Sequence, residues 1–193
     1  MARKICIIDG HPDPAPDHLI HALCDAYSEG ADAGRHAVER INIAALDLPY
    51  LTSQAEFDTP PEEPVLTERE KIADADHLFI AFPLWLGAMP AKLKSFLELA
   101  ASGNFFIQQS TSGWPEQMMK GKSARVVVTM GMPDFVYRFG MDAAATKGLE
   151  RGVLGLSGFK PLHHTIIGGA GELTESKVDS WLAFMREIGE DAV

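Results

Sequence analysis

The chain has few cysteines, fewer basic than acidic residues and no long apolar run. Only two of its 193 residues are cysteines, Cys6 and Cys24. Both lie in apolar patterns, so we interpret them as small buried residues and exclude a disulfide framework. Lysine and arginine total 17 against 27 acidic residues, which gives a formal net charge of −10 at pH 7. This balance argues against a surface that binds nucleic acid or an anionic membrane.

The chain also lacks features that would direct it to a membrane or divide it into parts. No run of about 18 apolar residues occurs, and the first residues, Met-Ala-Arg-Lys, lead directly into an apolar strand without a secretory leader. We therefore expect a cytoplasmic protein with no membrane insertion. No internal repeat or linker interrupts residues 1–193. We expect one domain, which at this length buries roughly 70 % of the surface of its unfolded chain.

The most informative stretch is a strand, loop and helix unit from Phe79 to Leu99. Residues 79–82 are apolar without alternation, which is typical of a central strand in a parallel sheet with both faces covered. The following loop, residues 83–88, carries Trp85, and Pro90 then suits the first turn of a helix with one apolar face. Trp85 fits either a packing or subunit contact or a platform for a ligand, and the pattern leaves both open.

Other segments complete an alternating pattern of strands and helices. Four further strands are predicted at Lys4–Asp9, Ala37–Asn42, Ala124–Thr129 and Leu162–Ile167. Helices are predicted from Leu19 onward and over Thr67–Ala75 (with Thr67 as its N-cap), Asp142–Leu156 and Glu175–Gly189. Such βαβ units predict an α/β fold with a parallel sheet and helices on both faces, and a ligand site at the carboxyl ends of the strands.

The loop after the first strand, Gly10–Asp17, leads into a helix N-terminus, an arrangement that favours anions. His11 fits a phosphate or ribose contact, or a turn histidine bonded to nearby backbone. Asp17 is expected to cap the helix. His18 and His21 share one helix face, but such pairs are mostly solvated surface, and we predict no metal site.

The loop after the fourth strand, residues 130–140, begins with small residues and continues with aromatic ones. This order suits the edge of a flat ligand, because free amides come first and side chains that enclose a ring follow. Taken alone, Tyr137 in this loop fits a half-buried loop aromatic.

Three segments carry a family resemblance. The run FPLWLGAMPAKLKSFLE, residues 82–98, resembles a motif of the flavodoxin-like NAD(P)H:quinone oxidoreductase family. The run MMKGKSARVVVTMG, residues 118–131, and the triplet Gly10-His11-Pro12 are similar to two further segments of that family. The resemblance implies a flavodoxin-like, doubly wound, five-stranded parallel sheet in the order 2-1-3-4-5.

The resemblance also implies a set of site residues. It assigns Tyr137 to catalysis, near the N1 and O2 side of a flavin, and it implies cofactor contacts at His11, Pro83, Leu84, Trp85, Leu86, Thr129, Met130, Gly131, Met132 and Tyr137. Two departures stand out. Pro16-Asp17-His18 replaces the family's Ser-Phe-Asn, and no histidine follows Tyr137 at residues 141–143, which leaves charge stabilisation to Tyr137, backbone amides and Arg138.

The function implied by the resemblance is a flavin-dependent NAD(P)H oxidoreductase. It would reduce quinones or related electron-poor acceptors by two-electron, ping-pong hydride transfer. We expect FMN, with FAD as the alternative, NAD(P)H as co-substrate, and a homodimer with its contact near the Trp85 loop and the helix at residues 93–99. The alternative is an electron carrier of the flavodoxin type or an ancillary regulatory subunit of a transport system.

Overall fold

The computed structural model describes residues 1–110 and 113–193 and is built on a five-stranded parallel sheet. The strands follow the order β2-β1-β3-β4-β5, which confirms the predicted fold class. Three strands have the predicted bounds, whereas β3 begins two residues earlier and ends one later than predicted and β4 begins one residue earlier. The strands are β1 (Lys4–Asp9), β2 (Ala37–Asn42), β3 (His77–Pro83), β4 (Ser123–Thr129) and β5 (Leu162–Ile167).

Helices cover both faces of the sheet. Helices α1 (Leu19–Ala33) and α6 (Glu175–Glu190) pack on one face. The other face is covered by α3 (Val65–Asp74), α4 (Ala91–Ala101) and α5 (Ala144–Leu149), which continues as a π-helical segment over Glu150–Gly155. The remaining elements are the short helix α2 (Gln54–Asp58), two 3₁₀ turns (Ile43–Ala45 and Ala170–Glu172), a π turn (Val136–Gly140) and a two-residue ladder pairing Ile107–Gln108 with Glu116–Gln117.

Two apolar layers separate the sheet from its helices. Alternate residues of β1 and β3 enter opposite layers, as Ile7 faces α1 and Ile8 faces α4. Each fully buried side chain of this size contributes about 1.5–3 kcal/mol to folding. Cys6 and Cys24 are both free and buried, one in each layer, and burial raises the pKa of both thiols. None of the helices in the described part of the chain is long and apolar enough to cross a membrane.

Two predicted helix starts, those of α3 and α5, are wrong, and α1 begins at Leu19 as predicted but without its predicted cap. Helix α3 begins at Val65, and Thr67 lies in its first turn, where its N–H and hydroxyl donate to the Glu63 carboxylate. Helix α1 has His18 at its N-cap position, so Asp17 lies outside the helix. Helix α5 begins at Ala144 because residues 142 and 143 adopt left-handed backbone angles, with φ of 54° and 47°.

Helices α1 and α6 approach each other closely through two glycines. A Cβ atom at Gly30 would lie 2.0 Å from the carbonyl oxygen of Arg186, and one at Gly189 would lie 2.2 Å from that of Tyr27. Real Cβ atoms do not come this close to backbone, so only glycine permits this spacing. The pair holds α1 tightly against the last helix.

Candidate functional site

Three loops meet at the carboxyl edge of the sheet, where β1 and β3 are neighbours and the strand order reverses. We call them the first loop (residues 10–18), the tryptophan loop (residues 83–88) and the glycine loop (residues 130–140). The His11 and Trp85 rings lie edge to face with centroids 6.0 Å apart, which joins the first two loops. The N–H of Leu84 donates to the carbonyl of Thr129 at 2.7 Å, which joins the tryptophan loop to the end of β4. The structure therefore brings together the three segments predicted from the sequence.

A buried carboxylate lies beneath the first loop. Asp9, the last residue of β1, is fully buried, and its Oδ2 atom lies 2.6 Å from Nδ1 of His21 and 2.6 Å from Nη2 of Arg40. Its Oδ1 atom accepts the N–H of His11 at 3.3 Å. Arg40 reaches it from β2 and also pairs with the exposed carboxylate of Asp25. Buried charge is stable only when it is paired and hydrogen-bonded, and Asp9 meets both conditions.

His21 connects this carboxylate to the first loop. Its Nδ1 faces Asp9, and its Nε2 lies 2.9 Å from the carbonyl oxygen of Asp13. Both partners are acceptors, so both ring nitrogens must carry a proton for the two bonds to form. Burial alone lowers the pKa of His21, but the hydrogen bonds to Asp9 and Asp13 outweigh it and raise the pKa above its ordinary value of 6.5.

The expectation that His18 and His21 form a solvated surface pair is wrong. His21 is 91 % buried, and the half-buried ring of His18 stacks on His11 at a centroid distance of 3.8 Å. Nε2 of His18 also lies 3.0 Å from the Asp13 carboxylate. Among the described residues, no group of three or more His, Cys, Asp or Glu is placed to hold a metal ion. The three histidines and Asp13 instead bind one another.

The first loop offers few free amides to an anion. The N–H groups of His11, Asp13 and Ala15 donate to side chains, namely Asp9, Nδ1 of His11 and the Asp13 carboxylate. The intervening residues are prolines and have no N–H. Amides at the start of α1 and histidine side chains are therefore what this loop can present. His11 is 94 % buried, and burial lowers its pKa.

The tryptophan loop is a tight turn held by its own backbone. Trp85 and Ala88 exchange two N–H···O=C bonds of 2.9 and 3.0 Å, and Leu86 and Gly87 at the tip have left-handed φ angles of 48° and 77°. Pro83 and Leu84 are half-buried, Trp85 is 49 % exposed, and Leu86 is fully exposed. An aromatic face and an apolar tip are thus presented to solvent on a fixed turn.

The tryptophan loop also forms one wall of an apolar groove. The groove has a volume of about 620 Å³, and residues of α5 and the segment after it form the other wall. Its lining is apolar apart from one cation. The lining residues are Trp85, Leu86, Ala88, Met89, Pro90, Ala91, Lys94, Ala145, Gly148, Leu149 and Val153.

The glycine loop divides into a buried part and an open part. Thr129 and Met130 are buried, and the Met130 side chain belongs to the core, so only its backbone is available to a ligand. Gly131 is exposed, and a Cβ atom placed there would meet no atom within 4 Å. Met132 is half-buried, and its carbonyl accepts the N–H of Gly169 at 3.0 Å. Open backbone at Gly131 is therefore the accessible feature of this loop.

Tyr137 does not line the open space, contrary to the role that the family resemblance implies. Its side chain is 0 % exposed, and its hydroxyl accepts the N–H of Thr146 at 3.0 Å and lies 3.1 Å from the Thr146 hydroxyl. Thr146 is the third residue of α5, so the phenol fills the place that an N-cap side chain would take. The buried phenol secures the start of α5. Arg138 pairs instead with Asp134 of the same loop.

Sequence reasoning missed the roles of Asp9, His21 and Arg40. A signal was present, because Asp9 ends an otherwise apolar strand that must be buried, and a buried carboxylate needs a cation from a neighbouring element. Arg40 lies on β2, which pairs with β1, and Asp9 is opposite Asn42 in that register. The position of His21 could not be read in the same way, since its direction depends on how α1 is set on the sheet.

Comparison with known proteins places the chain in a family. A family model described as "Flavodoxin-like fold" matches residues 3–187. The FMN-dependent NADH:quinone oxidoreductase 1 of Xanthomonas euvesicatoria is 26 % identical over 167 residues, which cover 81 % of each chain. The glutathione-regulated potassium-efflux system ancillary protein KefG of Salmonella paratyphi B is 28 % identical over 130 residues, 66 % of this chain and 65 % of that protein. The solved NAD(P)H:quinone oxidoreductase from Methanothermobacter marburgensis superposes over 100 % of both chains with a TM-score of 0.84 at 21 % identity. Because the family model spans nearly the whole sequence, the chain belongs to the flavodoxin-like fold family.

Proposed function

We propose that this protein is an FMN-dependent NAD(P)H oxidoreductase that reduces quinones or related electron-poor acceptors. The observation that carries the proposal is the meeting of three loops at the reversal of strand order, where the loop of the half-exposed Trp85 is hydrogen-bonded to the end of β4, two residues before the open backbone of Gly131. A relative that matches 81 % of the chain bears the name of an FMN-dependent NADH:quinone oxidoreductase. The relatives with this activity in their names do not favour the alternative of an electron carrier or an ancillary subunit.

The residues fit the ring end of a flavin. Gly131 leaves the space beside its backbone open, and Trp85 supplies an aromatic surface on a fixed turn. Pro83, Leu84, Leu86, Thr129, Met130 and Met132 complete the proposed contacts, with Thr129 and Met130 contributing backbone atoms. The phenol of Tyr137 is not among these contacts, because it is fully buried.

The residues fit the phosphate end through side chains and not through a cradle of loop amides. His18 is half-buried at the N-cap of a 15-residue helix, and His21 carries a positive charge below it. A helix N-terminus and cationic side chains both favour an anion. We propose that the phosphate binds at the start of α1 beside His18, with His11 as a further contact.

When bound, FMN supplies the redox chemistry, taking a hydride from the nicotinamide and delivering two electrons to the acceptor. The chain supplies binding, orientation and charge. Trp85, held on its fixed turn, offers an aromatic surface that favours a flat, apolar acceptor. Since no histidine occupies residues 141–143 and Tyr137 is buried, amides of the glycine loop are the groups left to stabilise negative charge on the reduced ring.

The proposal includes an assembly and a cellular location. The fully exposed Leu86 and the apolar groove along α4 and α5 form a surface that a second copy of the chain would cover, so we infer a homodimer. We also propose that residues 1–193 act as one domain and that the enzyme works in the cytoplasm, where NADH and NADPH are supplied. Light scattering of the purified protein tests the dimer, and a monomeric mass would contradict it.

A spectrum tests the cofactor, and anaerobic reduction tests the activity. The purified protein, incubated with FMN and desalted, is expected to retain a flavin band at about 450 nm that NADH or NADPH bleaches and a quinone restores. Retention of FAD and not FMN would correct the cofactor. Retained flavin that neither nucleotide reduces would indicate an electron carrier, and a colourless protein would indicate a regulatory subunit.

A further inference from the structure

We propose that His21, held as an imidazolium by Asp9, is a positioning residue for the first loop, so that loss of one proton from its ring loosens the loop that holds the cofactor phosphate. The inference rests on the proposed function for the identity of the cofactor. The positioning of the loop itself is a property of this chain.

The geometry requires the charged ring. Nδ1 lies 2.6 Å from the Asp9 carboxylate and Nε2 lies 2.9 Å from the carbonyl of Asp13, so each nitrogen faces an acceptor. A neutral imidazole has one N–H and can keep only one of these bonds. The bond to the buried carboxylate is the stronger, because it joins two charges away from water. The bond to Asp13 is therefore the one lost on deprotonation.

Asp13 is the residue through which the whole loop is held. Its carbonyl accepts from His21, its N–H donates to Nδ1 of His11, and its carboxylate accepts the N–H of Ala15 and pairs with His18. Of these contacts, the one with His21 ties the carbonyl to a helix side chain whose ring also binds the Asp9 carboxylate, whereas His11 reaches Asp9 only through its backbone N–H. The remaining contacts of Asp13 are with other members of the first loop, namely His11, Ala15 and His18.

Charged and titratable groups from β1, β2, α1 and the first loop surround His21. Asp9 comes from β1 and Arg40 from β2; Cys24 and Asp25 lie on α1; and the first loop contributes His11, Asp13 and His18. Arg40 opposes the positive charge on His21, whereas Asp9 and the Asp13 carbonyl favour it. Burial lowers the pKa of His11, so His11 stays neutral while His21 titrates.

The direction of the pH effect follows from the raised pKa of His21. The stabilisation is fully present below the ordinary value of 6.5 and is lost as the pH rises through the higher value of the folded protein. FMN affinity and loop protection should therefore both decrease on the alkaline side of neutrality. Phosphate loses its second proton near about pH 6, so its own titration would increase affinity with pH and has the opposite sign.

Two measurements on the purified protein test the inference. Histidine ¹⁵N NMR from about pH 5 to about pH 10 should show both nitrogens of His21 protonated above the pH at which a free histidine has lost its proton. Hydrogen exchange of residues 10–18, corrected for the intrinsic rate, should accelerate roughly tenfold through the same transition, since a hydrogen bond from a charged donor contributes at least that factor.

Substitutions separate positioning from simple structural support. His21→Gln keeps an amide donor without a titrating proton. Hydrogen exchange in the loop and the FMN dissociation constant should therefore lose the alkaline pH dependence that His21 causes, while the loop stays largely protected. His21→Ala should leave the loop unprotected at every pH. His164→Gln is the matched control, because His164 also pairs with a carboxylate, Glu150 at 2.9 Å, on a different part of the sheet. It should retain the pH dependence of the parent.

The outcomes distinguish this inference from the proposed function. Loop exchange that is unchanged by pH, or a pH dependence that persists in His21→Gln, overturns the positioning role. Failure of FMN to bind at any pH overturns the proposed cofactor, and a pH-dependent loop would still support the role of His21.

Discussion

The first loop and the tryptophan loop lie side by side but are stabilised by different chemistry. The first loop is held by side chains, since the amides of His11, Asp13 and Ala15 all donate to side-chain atoms and its base rests on the buried charge of Asp9. The tryptophan loop is held by backbone bonds within the turn and to β4, and the side chains of Trp85 and Leu86 remain exposed.

The difference separates two tasks. A loop stabilised by side chains is sensitive to substitution and to pH, because each bond belongs to a residue that can be changed or titrated. A loop stabilised by backbone keeps its shape when its side chains change, so Trp85 and Leu86 are free to serve ligand binding or assembly. Substitutions in the first region should therefore affect folding, and those in the second should affect binding.

The largest expected effect is at Asp9. Asp9→Asn removes the negative charge that balances Arg40 and His21, and we expect the free energy of unfolding to decrease by about 1.5–3 kcal/mol, the range for hydrogen bonds to a charged group. Urea denaturation measures it. Asp25→Asn removes the other, exposed partner of Arg40 and should cost less than about 1 kcal/mol. An equal decrease in the free energy of unfolding of the two variants would show that burial of Asp9 does not determine its contribution to stability.

Gly10→Ala should come next. A Cβ at this position would lie 2.8 Å from the carbonyl oxygen of Ala81 and 2.8 Å from a methyl group of Leu93. We expect a loss of about 1–3 kcal/mol, typical of forcing atoms into a packed site. Gly131→Ala is the matched control, because its Cβ has no neighbour within 4 Å, and it should unfold at the parental urea concentration. Similar destabilisation by both would contradict the difference between packed and open loop backbone.

Tyr137→Phe tests whether the glycine loop resembles the first loop in using a side chain for structure. Removing the hydroxyl leaves the N–H of Thr146 without its acceptor, and we expect a loss of about 1–1.5 kcal/mol of stability. The rate of flavin reduction in stopped-flow mixing with NADH or NADPH should change less than about twofold, since the phenol does not reach the open space. A slower reduction at unchanged stability would restore a catalytic role to Tyr137.

The smallest effect on stability is expected at Trp85. Trp85→Ala should change the free energy of unfolding by less than about 1 kcal/mol, because half of the side chain is already exposed. It should raise the FMN dissociation constant roughly tenfold through the lost aromatic contact. Flavin fluorescence titration measures the latter. Large destabilisation with unchanged affinity would show that the tryptophan serves packing.

The fold was predictable because its signals are local. A short run that ends at Gly10 marked β1, alternation of apolar and polar residues marked β2, a run between Pro161 and Gly168 marked β5, and a continuous apolar run located β3 at the centre of the sheet. These signals depend on neighbours in the sequence. The family resemblance added the strand order.

The site was only partly predictable, because its bonds join distant residues. Asp9 and Arg40 are 31 positions apart, and Tyr137 is buried because its hydroxyl binds Thr146, which no periodicity reveals. Asp17 looked like a helix cap by residue type, yet the helix begins two residues later. In each case the direction of a side chain was decided by tertiary packing.

The position of the proposed phosphate site at the start of α1 depends on the distant contact between α1 and α6. His18 and His21 sit at the leading end of α1, and the glycines that seat this helix, Gly30 and Gly189, lie at the far end of the interface. A methyl group at either glycine would wedge the two helices apart and tilt α1 as a rigid rod. Substitutions in this buried helix interface would thus alter retention of the flavin without touching it.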